Sequence, residues 1–139
     1  MDHMQAIEHG AVVKGGPEFR TEQGSVYTPG ISAQTVGSRM VFLGIVRLPP
    51  GGRTRAHVHD RHESAFYLLE GDDVELWTGP ALEHKATAHA GDFLFIPAGV
   101  AHVAVNRHPS KTAVFVGVRN DPEANESVTL RPELDERIP

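Results

Sequence analysis

The apolar residues of this chain fall in short runs that end at glycine, proline or acidic residues. Such runs, when they are rich in branched and aromatic residues or alternate with polar positions, are typical of β-strands. No stretch before Glu123 shows the 3.6-residue apolar repeat that would predict a helix. The pattern predicts strands over Arg39–Leu48, Ala65–Leu69, Val74–Thr78, Lys85–Ala88, Phe93–Ile96, Val100–Val105 and Lys111–Val118.

Turn signals separate these runs at intervals of roughly 8–12 residues, a spacing that indicates an all-β sandwich or barrel. The turn Glu70–Asp73 predicts a hairpin between its two flanking strands. We expect one or two edge strands within residues 1–37 and a last edge strand at Val128–Leu130. We therefore expect two packed antiparallel sheets.

Composition narrows the classes of protein to which the chain can belong. Its 139 residues are the size of one domain. The net charge of -5, without a basic cluster, argues against a nucleic-acid partner. No apolar run is long enough to span a membrane, and residues 1–10 lack the features of a signal peptide, so we expect a cytoplasmic protein. Without cysteine, a metal site would have to use His, Asp or Glu.

Metal-binding side chains are concentrated in the segment HVHDRHES, which spans residues 57–64. His57 and His59 are two residues apart, so on a strand both side chains leave from the same face. His102 begins another predicted strand, which a β-barrel can bring beside the first. Imidazoles together with a carboxylate form a ligand set that suits Mn, Fe, Ni, Cu or Zn.

Two segments resemble the signature motifs of the cupin superfamily. The first contains Gly51, His57, His59, Glu63 and Gly71; the second follows after 19 residues and contains Gly91, Pro97, Gly99, His102 and Asn106. The resemblance implies a small single-domain cupin, that is, a β-barrel or double-stranded β-helix, over residues 1–139. Residues 51–106 would form the motif core, flanked by edge strands within 1–50 and 107–139. Asn106 is expected to bond backbone groups at a strand end.

The resemblance also implies one divalent transition metal ion (Fe, Mn, Ni, Cu or Zn), held by His57, His59, Glu63 and His102. The first motif departs from the family pattern, because Ser64 stands where the family usually has its glutamate. Glu63 can face inward only if its strand contains an extra residue, as in a β-bulge. His62 is the alternative fourth ligand. We favour Glu63, because a carboxylate partly neutralises a divalent cation.

The fold does not select one function, since metal cupins include dioxygenases, decarboxylases, isomerases and binding proteins. Our leading hypothesis is a metal-dependent dioxygenase that acts on a small, oxygen-rich organic molecule. The alternatives are a non-catalytic binding or sensing protein and a metal-dependent isomerase or decarboxylase. A metal-free sugar isomerase would need a His/Tyr pair, and the chain has only Tyr27 and Tyr67. We expect Phe93 in the core and an apolar pocket lined by residues such as Phe66, Leu68 and Phe95.

We also expect a homodimer. Barrels of this kind expose edge strands near both termini, and unpaired edges are usually covered. Val12–Val13 and Val128–Leu130 are the segments predicted to lie at that interface.

Overall fold

The computed structural model describes residues 7–125 and 127–139. The chain forms two antiparallel sheets, and the family of folds predicted from the sequence is confirmed. The strands are β1 (Phe19–Arg20), β2 (Val26–Ile31), β3 (Phe42–Leu48), β4 (His57–Val58), β5 (Ser64–Glu70), β6 (Val74–Thr78), β7 (His84–Ala88), β8 (Phe93–Ile96), β9 (His102–Asn106), β10 (Ala113–Arg119) and β11 (Thr129–Leu130).

The six-stranded sheet has the order β1-β2-β3-β10-β5-β8, and the five-stranded sheet has the order β11-β4-β9-β6-β7. The predicted hairpin between the strands that flank Glu70–Asp73 is wrong. This turn carries the chain from one sheet to the other, so β5 pairs with β10 and β8 while β6 pairs with β9 and β7. Gly71 and Asp73, both with positive φ, make that crossing possible.

The apolar core lies between the two sheets. Strand alternation directs Phe115 and Leu68 inward, where both are buried. Phe93 and Phe95 were expected inside the barrel, and this prediction is wrong. On β8 the inward positions belong to Leu94 and Ile96, which are buried, whereas Phe93 and Phe95 are 82% and 56% exposed. Both faces of β8 are apolar, so the sequence pattern alone does not distinguish them.

The irregular spacing of the first motif predicts an extra residue in the strand that follows His62. Strand β5 does contain an extra residue, but near its C-terminal end. Against β10, Phe115 pairs with Leu68 and Val114 pairs with Glu70, so Leu69 is the additional residue. From Ser64 to Leu68 the strand therefore alternates regularly. Ser64 and Leu68 are buried on the inner side, and Glu63, just before the strand, is exposed.

Two short helical segments complete the described chain. Helix α1 (Ala33–Val36) begins at Ser32, whose hydroxyl caps it, and ends at Gly37 in the left-handed conformation. A 3-10 helix (Pro132–Arg137) lies near the end of the chain. Its Leu134 is buried in a second apolar cluster behind the five-stranded sheet, together with Val103 and Ile138.

Candidate metal centre

Three histidines converge inside the barrel. His57, His59 and His102 are each at most 4% exposed, and each offers a ring nitrogen within 4.8 Å of those of the other two. The ring centroids of His57 and His102 are 4.1 Å apart, and that of His59 lies 4.9 and 5.0 Å from them. The arrangement can hold a metal ion.

Strand register produces this convergence. His57 on β4 pairs directly with His102 on β9, so the two side chains leave the same face of the five-stranded sheet. His59 follows two residues after His57. Gly99 donates its backbone N–H to the carbonyl of His59 at 2.8 Å and has a positive φ. The glycine of the second motif thus ties the turn before His102 to the segment that contains His59.

Backbone carbonyls fix which nitrogen of each ring bears the hydrogen. The Nδ1 atoms of His57, His59 and His102 lie 2.5, 3.2 and 2.9 Å from the carbonyl oxygens of Arg55, Ser127 and Val100 respectively. A carbonyl oxygen can only accept, so each Nδ1 must donate. Nε2 is then the nitrogen whose lone pair can bind a metal, the arrangement that orients histidine ligands in metalloproteins. The donor set therefore fits a transition metal.

His62 lies beside one of the three, His59. It is 4% exposed, and its ring centroid is 4.6 Å from that of His59. Its Nδ1 lies 3.5 Å from a carboxylate oxygen of Asp121. Asp121 can orient this ring as the carbonyls orient the others.

Glu63 is located differently. Its side chain is exposed, and its backbone N–H donates to the side-chain oxygen of Asn120 at 3.0 Å. Among the described residues, the group whose ligand atoms converge contains neither Glu63 nor His62. The inner position that follows belongs to Ser64, which is buried.

A cavity of about 60 Å³ opens from the three histidines into the barrel. Roughly 10–15 Å³ suffices to admit one water, so the cavity is large enough for a small ligand. Most of its lining is apolar and includes Phe66 as predicted; Leu76, Leu94, Ile96 and Phe115 also contribute. Sequence reasoning did not identify its polar lining residues Gln23, Ser25 and Thr54. The first two lie outside both motifs, and Thr54 stands between Gly51 and His57, at a position that the first motif leaves undefined.

Asn106, the last residue of the second motif, has the structural role that was predicted for it. It is fully buried, and its Nδ2 donates to the carbonyls of Leu48, Pro49 and Lys111 at 3.1, 3.2 and 2.8 Å. Its Oδ1 accepts from the backbone N–H of His108 at 3.1 Å. Asn106 therefore fixes the end of β9, the strand that begins with His102.

Solved structures with the same fold come from several organisms. TT1209 from Thermus thermophilus is 27% identical, with 68% of this chain and 83% of that chain covered and a TM-score of 0.54. KdgF from Halomonas sp. is 18% identical, with 83% and 96% covered and a TM-score of 0.64. The Lactobacillus farciminis oxalate decarboxylase–formate complex is 20% identical, with 88% and 36% covered and a TM-score of 0.68.

No curated protein sequence matches the chain. The model of the cupin domain family, by contrast, matches residues 44–118, slightly more than half of the chain. The match contains both motifs and all three converging histidines. Because this family model matches more than half of the chain, and because two antiparallel sheets enclose the histidines, the chain belongs to the cupin family.

Proposed function

We propose that this cupin binds one divalent transition metal through His57, His59 and His102 and uses the site to bind a small, oxygen-rich organic molecule. The observation that carries the proposal is the orientation of the three buried rings, each with Nδ1 bonded to a backbone carbonyl. Nine histidines occur in the chain, and chance placement would not orient three of them toward one point. Fe, Mn, Ni, Cu and Zn all suit imidazole ligands.

For the fourth ligand, the geometry supports His62 over Glu63. His62 is buried and already lies next to His59, whereas Glu63 faces solvent. The bulge that would turn Glu63 inward occurs at Leu69 instead. A site of four imidazoles would leave the full charge of the metal uncompensated by protein carboxylates.

The leading reaction is that of a metal-dependent dioxygenase. When bound, the metal supplies Lewis acidity or oxygen activation. The apolar side chains around the cavity, such as Phe66 and Phe115, exclude bulk water and strengthen electrostatic contacts to the ligand. The volume of the cavity favours the smallest diketones and hydroxy or keto acids over flavonols.

Specific observations also support two alternative functions. A binding or sensing cupin would use the same cavity without turnover. For a metal-dependent isomerase or decarboxylase, Tyr27 lies in the cavity lining, which provides a phenol group for general acid or base catalysis. Among structural neighbours, one is an oxalate oxidase in complex with glycolate, and the oxalate decarboxylase contains formate. Those ligands are small and oxygen-rich, which supports the substrate class but not a particular reaction.

Metal analysis tests the site. Protein purified without a metal column should take up one equivalent of a divalent metal, and His102→Ala should lose it. His62→Ala and Glu63→Ala form a matched pair: we expect the metal affinity to fall roughly 10- to 100-fold for His62→Ala and to stay within twofold for Glu63→Ala. Less than a tenth of an equivalent in the wild-type protein after supplementation would refute the metal site.

Turnover is tested separately. An oxygen electrode and mass spectrometry should detect oxygen uptake and product when the metal-loaded protein meets small diketones, catechols or keto acids, with His102→Ala as the control. Thermal stabilisation by one of these compounds without oxygen uptake would favour the binding protein, and a product formed without oxygen uptake would favour the isomerase or decarboxylase.

The expected partners are a small molecule and a second copy of the chain. The acidic net charge does not favour nucleic acid. Across residues 7–125 and 127–139, no helix has the length and apolar character needed to cross a membrane. A cytoplasmic location, single-domain organisation over residues 1–139 and a homodimer remain proposals.

A further inference from the structure

A permanently charged arginine lies inside the barrel. Arg119, at the end of β10, is 5% exposed and lines a small cavity of about 10 Å³. Tyr27, Val46 and Phe66 line both this cavity and the one that contains the histidines, so the two spaces adjoin. Ser64, at the position where the family usually has its glutamate, lines the small cavity with Arg119.

The guanidinium of Arg119 is held in a defined position. Its Cζ lies over the ring of Phe42, 3.7 Å from the ring centroid. Its Nη2 donates to the carbonyls of Glu123 and Ala124, the latter at 3.2 Å. Guanidinium carries five N–H donors in a planar fork, a geometry that matches a carboxylate.

The charges around the two cavities point to an anionic ligand. Among the described residues that line them, Arg119 brings a permanent positive charge and none is acidic. With serine at position 64, the family carboxylate is replaced there by a neutral side chain. A negative charge supplied by the ligand would complement this lining.

We propose that Arg119 binds a carboxylate of the molecule that enters the histidine cavity, so that this cupin selects small carboxylic acids. The inference rests on the proposed function, because the other oxygen atoms of the acid would lie at the histidines. A small acid of about six non-hydrogen atoms, such as a 2-keto acid, suits a cavity of about 60 Å³.

Two probes of equal shape test the charge. Pyruvate and butane-2,3-dione differ only in that a carboxylate oxygen replaces a methyl group. Titration of the Co²⁺-loaded protein, followed by calorimetry and by the visible Co²⁺ spectrum, should show pyruvate binding at least tenfold more tightly. Arg119→Met should weaken pyruvate binding roughly 10- to 100-fold, as expected for a lost charged hydrogen bond. Butane-2,3-dione binding should stay within twofold.

Controls separate this role from folding and from metal binding. Arg107→Met removes an arginine bonded to Glu75 outside the cavity lining and should leave pyruvate binding unchanged. Ser64→Asp places a competing carboxylate beside Arg119 and should weaken pyruvate binding at least tenfold even if Arg119→Met does not fold. Equal pyruvate affinity in wild type and a folded Arg119→Met, or in wild type and Ser64→Asp, would overturn the proposal. If the wild type takes up no Co²⁺, the proposed metal site is refuted. The role of Arg119 is then tested without metal, by comparing how much pyruvate raises the melting temperature of the wild type and of the same variants.

A separate observation concerns the outer face of the six-stranded sheet. Two rows of apolar side chains cross it from β3 through β10 and β5 to β8. We call these residues the outer patch: Leu43, Val118, Ala65 and Phe95 in one row, and Ile45, Val116, Tyr67 and Phe93 in the other. Leu43 and Val118 are 41% and 42% exposed, and the phenylalanines are exposed further. None of the eight is charged.

The area of the outer patch matches that of a stable interface. Together with the neighbouring Val41 and Leu69, it exposes on the order of 700 Å² of mostly apolar surface if a fully exposed aromatic side chain offers about 200 Å². A standard interface buries roughly 800 Å² on each partner. An uncharged patch offers nothing to a charged partner, whereas a two-fold dimer brings the same patch of both subunits together. We infer that the outer patch pairs with that of a second copy of this chain, rather than the terminal edges expected from the sequence.

The mass in solution tests this interface. The 15.1 kDa chain should sediment as a dimer at micromolar concentration. The double variant Phe93→Glu/Phe95→Glu should raise the dissociation constant roughly 100-fold or more, because it buries like charges opposite one another. Val12→Glu is the matched control, since Val12 is 88% exposed but outside the patch. A monomeric wild type, a double variant that remains a dimer, or dissociation caused by Val12→Glu alone would contradict the inference.

Discussion

Asn106 provides a quantitative test of how the second motif stabilises the barrel. Replacing it with leucine keeps a similar volume but removes the amide that bonds three carbonyls and one backbone N–H. A typical hydrogen bond contributes about 1 kcal/mol net, and a buried group left unsatisfied costs about 1–3 kcal/mol. Asn106 is fully buried, so water cannot replace the lost partners.

We expect Asn106→Leu to lower the free energy of unfolding by about 3–4 kcal/mol, the sum of two lost amide donors and one acceptor, each at about 1 kcal/mol or more. For a domain of this size, that corresponds to a melting temperature lower by roughly 10–15 °C. Urea titration followed by circular dichroism would measure the change. Asn106→Leu should also weaken metal binding, since the same strand positions His102.

Ser110→Ala is a suitable control, because Ser110 is exposed in the same loop and its loss should cost less than about 0.5 kcal/mol. A loss below about 1 kcal/mol for Asn106→Leu would refute the reasoning, as would an equal loss for both variants. The carbonyls of Leu48, Pro49 and Lys111 would then have other partners of equal strength.

Two further predictions concern stability. Burial by itself would raise the pKa of Glu75, but hydrogen bonds from Arg107 and Trp77 outweigh it and hold the pKa below its ordinary value of 4.5. The stabilisation that ionised Glu75 contributes is present above the ordinary pKa of the group and is lost as the pH falls through its folded-state pKa. Glu75→Gln should therefore cost about 1–3 kcal/mol at pH 7 and progressively less in acid, measured by urea titration across pH; a pH-independent cost would contradict this. Gly44→Ala should lower the free energy of unfolding by about 1–3 kcal/mol, because the added Cβ would lie 2.7 Å from the carbonyl oxygen of Thr28. Thermal melting measures this loss, with Gly10→Ala as the control, since a Cβ at Gly10 meets nothing within 4 Å. Equal melting temperatures for the two variants would contradict the clash.

Much of the fold could be predicted because strand boundaries coincide with local turn chemistry. The runs Val74–Thr78 and Phe93–Ile96 were predicted with the bounds that β6 and β8 have. Glycine, proline and acidic residues flank both runs, and such turns act over a few residues. Pairing acts over longer distances: the strands that flank Glu70–Asp73 are neighbours in sequence but lie in different sheets.

Which face of a strand points inward was predictable only where the faces differ. In β5, the alternation assigned Phe66 and Leu68 to the inner side, and both line the core or the cavity. In β8, both faces are apolar: one carries phenylalanine and the other carries Leu94 and Ile96. Packing against the second sheet buries Leu94 and Ile96, so the phenylalanines are exposed and form part of the outer patch.

The sequence by itself determined the family, through its resemblance to two motifs in the right order. It also determined the three histidines, because the motifs contain them and strand parity gives His57 and His59 a shared face. Only the tertiary structure decided the surroundings of the site. The extra residue of β5 is accommodated at Leu69, which leaves Glu63 in solvent and His62 beside His59. Arg119, which belongs to neither motif, lies in their barrel because β10 pairs with β5. Register and long-range pairing depend on the whole core, so no local pattern in the chain encodes them.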